Sequence, residues 1–143
     1  MASVSRSALV PYSAEQMFDL VADVDAYHEF LPWCEDSRIL KREGDVVEGC
    51  IQISKAGFEK TFTTRNHMQP SEMVEIRLIE GPFRHLDGFW RFQALREDAC
   101  KVSLDLNFEF SNKVLTLAFS KVFTQIANSL VDSFVQRARQ VYG

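Results

Sequence analysis

Apolar and polar residues alternate through the middle of the chain, from Cys34 to Phe110. The alternation is cleanest over 101–110, where every even-numbered residue is apolar and every odd-numbered one is polar. A period of two predicts strands with one dry face and one wet face. Turn signals divide this region, so we predict six consecutive antiparallel strands, with turns at Gly44, Ala56-Gly57, Gln69-Pro70-Ser71, Gly81-Pro82 and Glu97-Asp98.

The first thirty or so residues predict a strand and two short helices. A β-rich run ends at Pro11, and Ser13 followed by Gln16 matches a capping box at the start of a helix. Asp25 is expected to cap a second short helix over 26–30, which Pro32 ends because the residue before a proline is pushed out of the helical region.

A long helix is predicted from Asn112 to the end of the chain. About thirty residues there contain no proline and no glycine before the last position, which predicts a helix of about 45 Å. Apolar residues recur at helical spacing, but the first stretch, VLTLAFSKVF, is apolar around most of its circumference. We therefore expect something other than the sheet to cover part of that stretch.

These elements predict an α+β fold with an antiparallel sheet of about seven strands wrapped around the C-terminal helix. The dry face of such a sheet must be covered, and the long helix is the element able to cover it. A strongly bent sheet gripping one helix leaves an apolar space between them, which the twelve phenylalanines either fill or line. We expect one domain over 1–143.

Composition and net charge limit the classes of partner and the cellular location that we expect. Hydrophobic residues make up 46% and the formal charge is −4, so we expect a soluble protein without general affinity for DNA, and any RNA contact requires a local basic face. The three cysteines lack paired short spacing and are interpreted as reduced thiols. Without a signal sequence or a predicted transmembrane segment, a cytoplasmic location is expected.

Several segments in order carry a resemblance that spans essentially the whole chain: LVPYSAEQMFDLVADVDAYHEFLPWC, SKAGFEKTFTTRN, EGPFRHLDGFWRF and FEFSNKVLTLAFSKVF. Together they resemble the bacterial ribosome association toxins and the wider coenzyme Q-binding, polyketide cyclase-like branch of the START superfamily. The resemblance implies a helix-grip fold with a hydrophobic tunnel under the last helix. It also implies a non-enzymatic role: either binding to the large ribosomal subunit, with an antitoxin as a further partner, or carrying ubiquinone or another isoprenoid or lipid.

Candidate site residues follow from strand parity and helical spacing. The expected cavity wall consists of Tyr27, Phe30, Leu31, Trp33, Phe62, Ile76, Leu78, Trp90, Phe92, Leu104, Leu106, Phe119, Phe123, Ile126 and Leu130. Plain core packing is the alternative for its aromatic members. Arg6 and Lys60 share the dry parity, so either can hydrogen-bond a carbonyl or carboxylate in the cavity, although an edge strand, a bulge or an ion pair with a nearby glutamate is the favoured explanation.

A basic stripe is the candidate surface for ribosome contact. Arg77, Arg91 and Lys101 lie on the wet parity of three successive strands, where they can position phosphates. A solvated face paired with Glu75 and Glu109 is the alternative interpretation.

The stretch DVDAYHEFLPWCED, 23–36, combines acidic, histidine, cysteine and aromatic side chains. It lacks the convergent spacing of a metal site, so we predict a solvated rim, with its aromatics either in the core or as a gate over the cavity mouth. No Ser-His-Asp pattern, phosphate loop or cofactor fingerprint is present. We therefore predict a non-enzymatic protein without a required cofactor or metal, and keep a cyclase as the less favoured alternative because related folds host such chemistry.

Overall fold

The structure, a computed structural model, describes residues 2–143. Seven strands and three helices follow one another in the expected order. They are β1 (Ala2–Val10), α1 (Ala14–Ala22), a short 3-10 helix (Val24–Glu29), β2 (Cys34–Glu43), β3 (Val46–Lys55), β4 (Phe58–Gln69), β5 (Met73–Glu80), β6 (Phe83–Arg96), β7 (Ala99–Phe110) and α2 (Lys113–Tyr142). The α+β helix-grip prediction is confirmed.

The caps of the two α-helices form as the sequence predicts. The Ser13 Oγ accepts a hydrogen bond from the Gln16 amide at 3.0 Å, and the Gln16 Oε1 accepts one from the Ser13 amide at 2.9 Å. At the start of α2, the Asn112 Oδ1 accepts from the Leu115 amide at 2.9 Å. Each cap satisfies a backbone donor that the first helical turn leaves without a partner.

The second short helix differs from the prediction. It is a 3-10 helix that already begins at Val24, and Asp25 does not cap it. Instead, an Asp25 carboxylate oxygen accepts a hydrogen bond from the Ile39 amide of β2 at 2.8 Å. The carboxylate is thus used in a tertiary contact that tethers the 3-10 helix to the sheet.

All seven strands form one antiparallel sheet in the order β1-β7-β6-β5-β4-β3-β2. Consecutive strands from β2 to β7 pair with one another as hairpins. The first strand, β1, pairs with the last strand, β7. The two edges of the sheet are therefore β1 and β2. The alternation on β7 places its even-numbered residues from Cys100 to Phe110 in the core.

α2 lies on the dry face and is held there by one side of its stretch from Phe123 to Ala138. Its buried side chains recur at helical spacing: Phe123, Ile126, Ala127, Val131, Phe134 and Ala138. The first eight residues of α2, from Lys113 to Ser120, include none that is buried. Consequently, the helix is gripped by the sheet over its C-terminal two thirds only.

Two aromatic clusters pack between α2 and the sheet. In the first, the Phe134 ring lies 5.1–5.3 Å from the rings of Tyr27, Phe30 and Trp90, each edge-on. The second joins seven phenylalanines from β4, β6, β7 and α2: Phe58, Phe62, Phe83, Phe108, Phe110, Phe119 and Phe123. Edge-to-face pairs of this kind stabilise a core beyond the area they bury.

Candidate functional site

An apolar cavity lies between α2 and the sheet. Its empty space is about 740 Å³ when the open solvent at its mouth is included, so the enclosed part is smaller. The side chains around it come from the 3-10 helix, the segment before β2, five strands and α2. Three of the lining residues are only half-buried, namely Ile51, Ile76 and Leu130, and they mark where the cavity reaches the surface.

The structure brings most of the expected wall residues to this cavity. Those in its lining are Tyr27, Trp33, Phe62, Ile76, Trp90, Leu104, Leu106, Phe123, Ile126 and Leu130. They converge because strand parity places alternate residues of β4 to β7 on the concave face, while the helical spacing of α2 turns the matching side chains towards it.

Five expected wall residues lie elsewhere. Leu31 is fully buried in the core, and Phe92 packs edge-on against Phe18 of α1, 5.8 Å away. Phe119 stacks at 4.7 Å on Phe58, whereas Leu78 is half-buried near the end of β5. Phe30 is half-buried and packs edge-on against Phe134, 5.1 Å away.

Several lining residues were not foreseen: Val24, Gly49, Ile51, Ile53, Thr64, Asn66, Leu86, Ala127 and Phe134. A signal existed for many of them. Gly49, Ile51 and Ile53 share one parity on β3, and Phe134 continues the helical spacing of Ile126 and Leu130. Parity alone cannot show which of these positions border empty space.

Polar groups in the cavity are few, and one of them lacks a partner. The Thr64 hydroxyl donates to the Asn66 Oδ1 at 3.0 Å, which places a threonine and an amide on the wall contributed by β4. The Tyr27 hydroxyl donates to the Val21 carbonyl oxygen, and burial raises the pKa of Tyr27 far above its usual range. In residues 2–143, the Trp33 Nε1 is the one buried side-chain nitrogen or oxygen without a hydrogen-bond partner.

An orphaned donor of this kind is energetically unfavourable. Leaving a buried polar group unsatisfied costs about 1–3 kcal/mol. The Trp33 side chain is 6% exposed and is part of the cavity wall. A hydrogen-bond acceptor within reach of its Nε1 would relieve this cost.

Arg6 and Lys60 do not reach the cavity. Arg6 lies on the edge strand β1, and its Nε donates to the Asn128 Oδ1 of α2 at 3.0 Å. Lys60 is exposed, because β5 pairs with β4 only from Thr63 onward and leaves the start of β4 uncovered on that side. Both residues have the expected parity, but Arg6 is hydrogen-bonded to α2 at the edge of the sheet, and Lys60 extends into solvent beside an uncovered part of β4.

The expected basic stripe on the wet face is interrupted. Lys101 pairs with Gln93 and Arg91 pairs with Ser103, so the two cations are diagonal neighbours on β6 and β7. Arg77 lies four residues along β5 from Met73, the residue opposite Arg91, and its Nε donates to Glu75 at 2.9 Å. Arg91 and Lys101 therefore remain a local basic pair, whereas the charge of Arg77 is compensated.

In the stretch 23–36 the acidic side chains are exposed or half-buried, whereas Val24, Tyr27, Leu31, Trp33 and Cys34 are buried. Among residues 2–143, no three His, Cys, Asp or Glu side chains are grouped as metal ligands. Asp25 contacts the Ile39 amide, and Glu29 forms an ion pair with Arg137 at 2.9 Å. Burial raises the pKa of the Cys34 thiol to about 11, so this cysteine is protonated and unreactive at neutral pH.

Comparison with known proteins places this geometry in a family. The model for polyketide cyclase / dehydrase and lipid transport proteins matches residues 10–135. The chain belongs to this family. One relative that matches over its full length is the ribosome association toxin RatA of Vibrio cholerae serotype O1. It is 50% identical over 143 residues, which cover 100% of this chain and 99% of RatA.

A more distant relative and two solved structures are also similar to this chain. The mitochondrial coenzyme Q-binding protein COQ10 homolog B of Xenopus laevis is 29% identical over 97% of this chain and 59% of its own length. The aromatase/cyclase Zhui of Streptomyces sp. R1128 superposes with a TM-score of 0.87 over 97% of this chain and 94% of that one, at 19% identity. A START superfamily protein of Mycobacterium smegmatis superposes with a TM-score of 0.82 over 97% and 98% of the two chains, at 23% identity. Both structural likenesses show the shared fold alone.

Proposed function

We propose that this chain binds the large ribosomal subunit and inhibits its association with the small subunit, and thereby translation initiation. The observation that carries this proposal is the 50% identity with RatA across the whole chain. Half of 143 positions is about twice the 34 buried apolar side chains of the core, so the shared positions extend well beyond the core. The proposed place of action is the cytoplasm, and a neutralising antitoxin is a further proposed partner.

The proposed contact surface is the basic pair Arg91 and Lys101. Both side chains are exposed on the wet face, and neither has an acidic partner within 4 Å among residues 2–143. The Arg91 guanidinium lies 4.4 Å from the Phe89 ring centroid, which holds it in place. Cations held in this way are suited to contact the phosphates of ribosomal RNA on a protein whose net charge is −4.

Sucrose-gradient sedimentation tests both parts of this proposal. Purified protein added to a bacterial extract is expected to lower the peak of joined ribosomes and raise those of the free subunits, with the protein in the large-subunit fractions. The double variant Arg91→Glu, Lys101→Glu is expected to need at least about tenfold more protein for the same effect, since each lost phosphate contact weakens binding.

The matched control is Arg42→Glu with Arg139→Glu, which reverses two exposed cations elsewhere on the surface. An unchanged profile with the wild-type protein contradicts the ribosome proposal. Equal loss in both double variants contradicts the assignment of the contact surface and indicates a general effect of net charge.

We further propose that the chain acts by binding and not by catalysis. The cavity lining contains no aspartate, glutamate, histidine, lysine, arginine or cysteine. General acid–base catalysis requires a titratable group close to the reacting atoms. The one such group in the lining is the Tyr27 phenol, which is engaged with Val21 and has a strongly raised pKa.

A second proposed activity is binding of an apolar acceptor-bearing molecule such as a quinone in the cavity. Its support is the orphaned Trp33 Nε1 beside an otherwise apolar wall, together with Thr64 and Asn66. The name of the coenzyme Q-binding relative is consistent with such a guest. Ribosome binding and ligand binding use different surfaces and do not exclude each other.

Trp33→Phe tests the proposed hydrogen bond to the ligand. Equilibrium dialysis is expected to show about fivefold to tenfold weaker binding of a short-chain ubiquinone, because one hydrogen bond contributes about 1 kcal/mol. An alkylbenzene with a tail of the same length has no acceptor, so its binding is expected to change much less.

Trp90→Phe is the control, since it removes a similar volume from the wall without removing an orphaned donor. If Trp33→Phe weakens the quinone and the alkylbenzene equally, or if Trp90→Phe has the same effect on the quinone, the proposed hydrogen bond is wrong. No binding of either compound to the wild type contradicts the carrier activity itself.

A further inference from the structure

The start of α2 exposes apolar side chains that the sheet does not cover. Leu117 is 87% exposed and Val114 is 75% exposed, the two highest values among the large apolar residues of 2–143. With Lys121 they occupy one face of the helix, at spacings of three and four residues. An exposed apolar patch of this kind usually marks an interaction site.

Lysines lie at the same end of the molecule as this patch. Lys113 opens the helix and Lys121 lies one turn beyond Leu117. The hairpin between β3 and β4 packs on the other side of this part of α2, where Phe58 lies 4.7 Å from Phe119, and it carries Lys55 and Lys60. We refer to Val114, Leu117 and the four lysines Lys55, Lys60, Lys113 and Lys121 as the basic tip.

The charge of the basic tip is uncompensated. Each of the four lysines is exposed, and none has an acidic partner within 4 Å in the described part of the chain. By contrast, seven other cations of this protein are in ion pairs, including Arg84, which pairs with Glu109 at 3.9 Å. Glu59, next to Lys60 on the β3–β4 hairpin, is also exposed and forms no ion pair within 4 Å in the described part of the chain.

The opposite end of α2 is acidic. Tyr142 donates a hydrogen bond to the Gln16 carbonyl oxygen at 3.0 Å, so the C-terminus of α2 lies on α1. α1 and the residue after it carry Glu15, Asp19 and Asp23 at one per turn, all exposed. A helix of about 45 Å therefore separates a basic end from an acidic end, and an anionic surface would orient the molecule with its basic tip inward.

We propose that the basic tip docks on an anionic lipid bilayer, with Val114 and Leu117 inserted at the level of the head groups. Aliphatic side chains flanked by lysines suit this interface, because the lysine stems lie along the apolar region while their ammonium groups reach lipid phosphates. RNA offers no comparable partner for the exposed leucine and valine, since bases are bound by stacking on aromatic or guanidinium planes. A second copy of the chain would bring lysines against lysines.

The docking is peripheral and does not span the bilayer. By length and composition α2 is able to cross a membrane, and 22% of its most apolar 18-residue window is buried in the fold. Its later part, however, supplies six buried side chains to the core, which cannot leave the sheet without unfolding it. Only the first two turns are free to enter the interface.

Vesicle co-sedimentation tests this proposal on the full chain. Wild-type protein is expected to bind vesicles of phosphatidylglycerol and phosphatidylethanolamine, to bind more weakly as salt is raised, and to stay in the supernatant with pure phosphatidylcholine. Val114→Ser with Leu117→Ser is expected to reduce partitioning at least about tenfold. Lys113→Gln with Lys121→Gln is expected to reduce it about fivefold for each lysine.

Leu9→Ser with Leu40→Ser is the matched control, since these leucines are 73% and 54% exposed on β1 and β2. Thermal melts should show the same stability for all variants, because every substituted side chain is exposed. The proposal is overturned if the wild type fails to bind the anionic vesicles, or if the control pair reduces binding as much as the tip pair. It is also overturned if the tip variants lose their effect on ribosome sedimentation while binding vesicles normally, which would assign the tip to the ribosome.

This proposal stands apart from the ribosome proposal, and the two experiments separate their failures. Vesicle binding without any effect on subunit association contradicts only the ribosome proposal. If the protein inhibits subunit association but does not bind vesicles, only the docking proposal is contradicted.

Discussion

Phe134→Ala is expected to lower the free energy of unfolding by about 3–5 kcal/mol, the usual cost of truncating a fully buried phenylalanine. Phe134 is 1% exposed and its ring contacts Tyr27, Phe30 and Trp90 edge-on. The substitution therefore removes the side chain that joins α2 to the 3-10 helix and to β6. Since domains of this size are stable by about 5–15 kcal/mol, the loss is a large fraction of the total.

Urea unfolding followed by circular dichroism measures this effect. Phe119→Ala is the matched control: Phe119 is only half-buried and, among the described residues, its one aromatic partner is Phe58, so we expect a loss of no more than about 2 kcal/mol. Equal losses at the two positions would contradict the grip of the sheet on the second half of α2. Phe134→Leu, which keeps most of the volume, is expected to lie between the wild type and Phe134→Ala.

Gly88→Ala is expected to cost about 3 kcal/mol and to lower the Tm by roughly 10 °C, because the added methyl group has no space. A Cβ at Gly88 would lie 2.2 Å from the Asp105 carbonyl oxygen and 2.9 Å from the Leu106 Cα. Both atoms belong to the backbone of β7, which pairs with β6 in the interior of the sheet. Relief of the clash requires the two strands to separate, since backbone atoms cannot rotate out of the way.

Gly49→Ala is the internal control for this substitution. A Cβ at Gly49 would meet the end of the Val24 side chain at 3.1 Å, and a methyl group can move by a few tenths of an ångström. Because alanine also reduces the entropy of the unfolded chain, we expect a change within about 1 kcal/mol of the wild type. Thermal unfolding of both variants decides the issue: similar melting temperatures would mean that β6 and β7 are not as close at Gly88 as the structure shows.

The prediction of the fold succeeded where short-range chemistry is sufficient. The capping box at Ser13, the Asn112 cap and the turns all depend on residues within a few positions of one another. Ser71 illustrates this, since the turn expected at Gln69-Pro70-Ser71 indeed forms with a φ of 63° at the serine. The alternation on β7 was equally readable, because successive side chains of a strand point to opposite faces.

Three polar residues show where local reasoning fails. Aspartate commonly caps helices, but the Asp25 carboxylate instead accepts a hydrogen bond from the backbone amide of Ile39, fourteen positions later. Arg6 and Lys60 have the parity of cavity residues, yet each lies where the sheet has no neighbouring strand on one side. None of these outcomes can be obtained from nearby residues, because each depends on which strand lies beside which.

The order of residues alone specified the helix-grip architecture, the dry and wet faces of its strands, and a C-terminal helix that one sheet cannot cover completely. It did so because periodicity and capping are local properties of the chain. The tertiary structure decided which apolar side chains border empty space, which indole is left without a partner, and which lysines stay uncompensated around Leu117. Those features arise from the curvature of the sheet and from contacts between residues remote in sequence, so no window of neighbouring residues contains them.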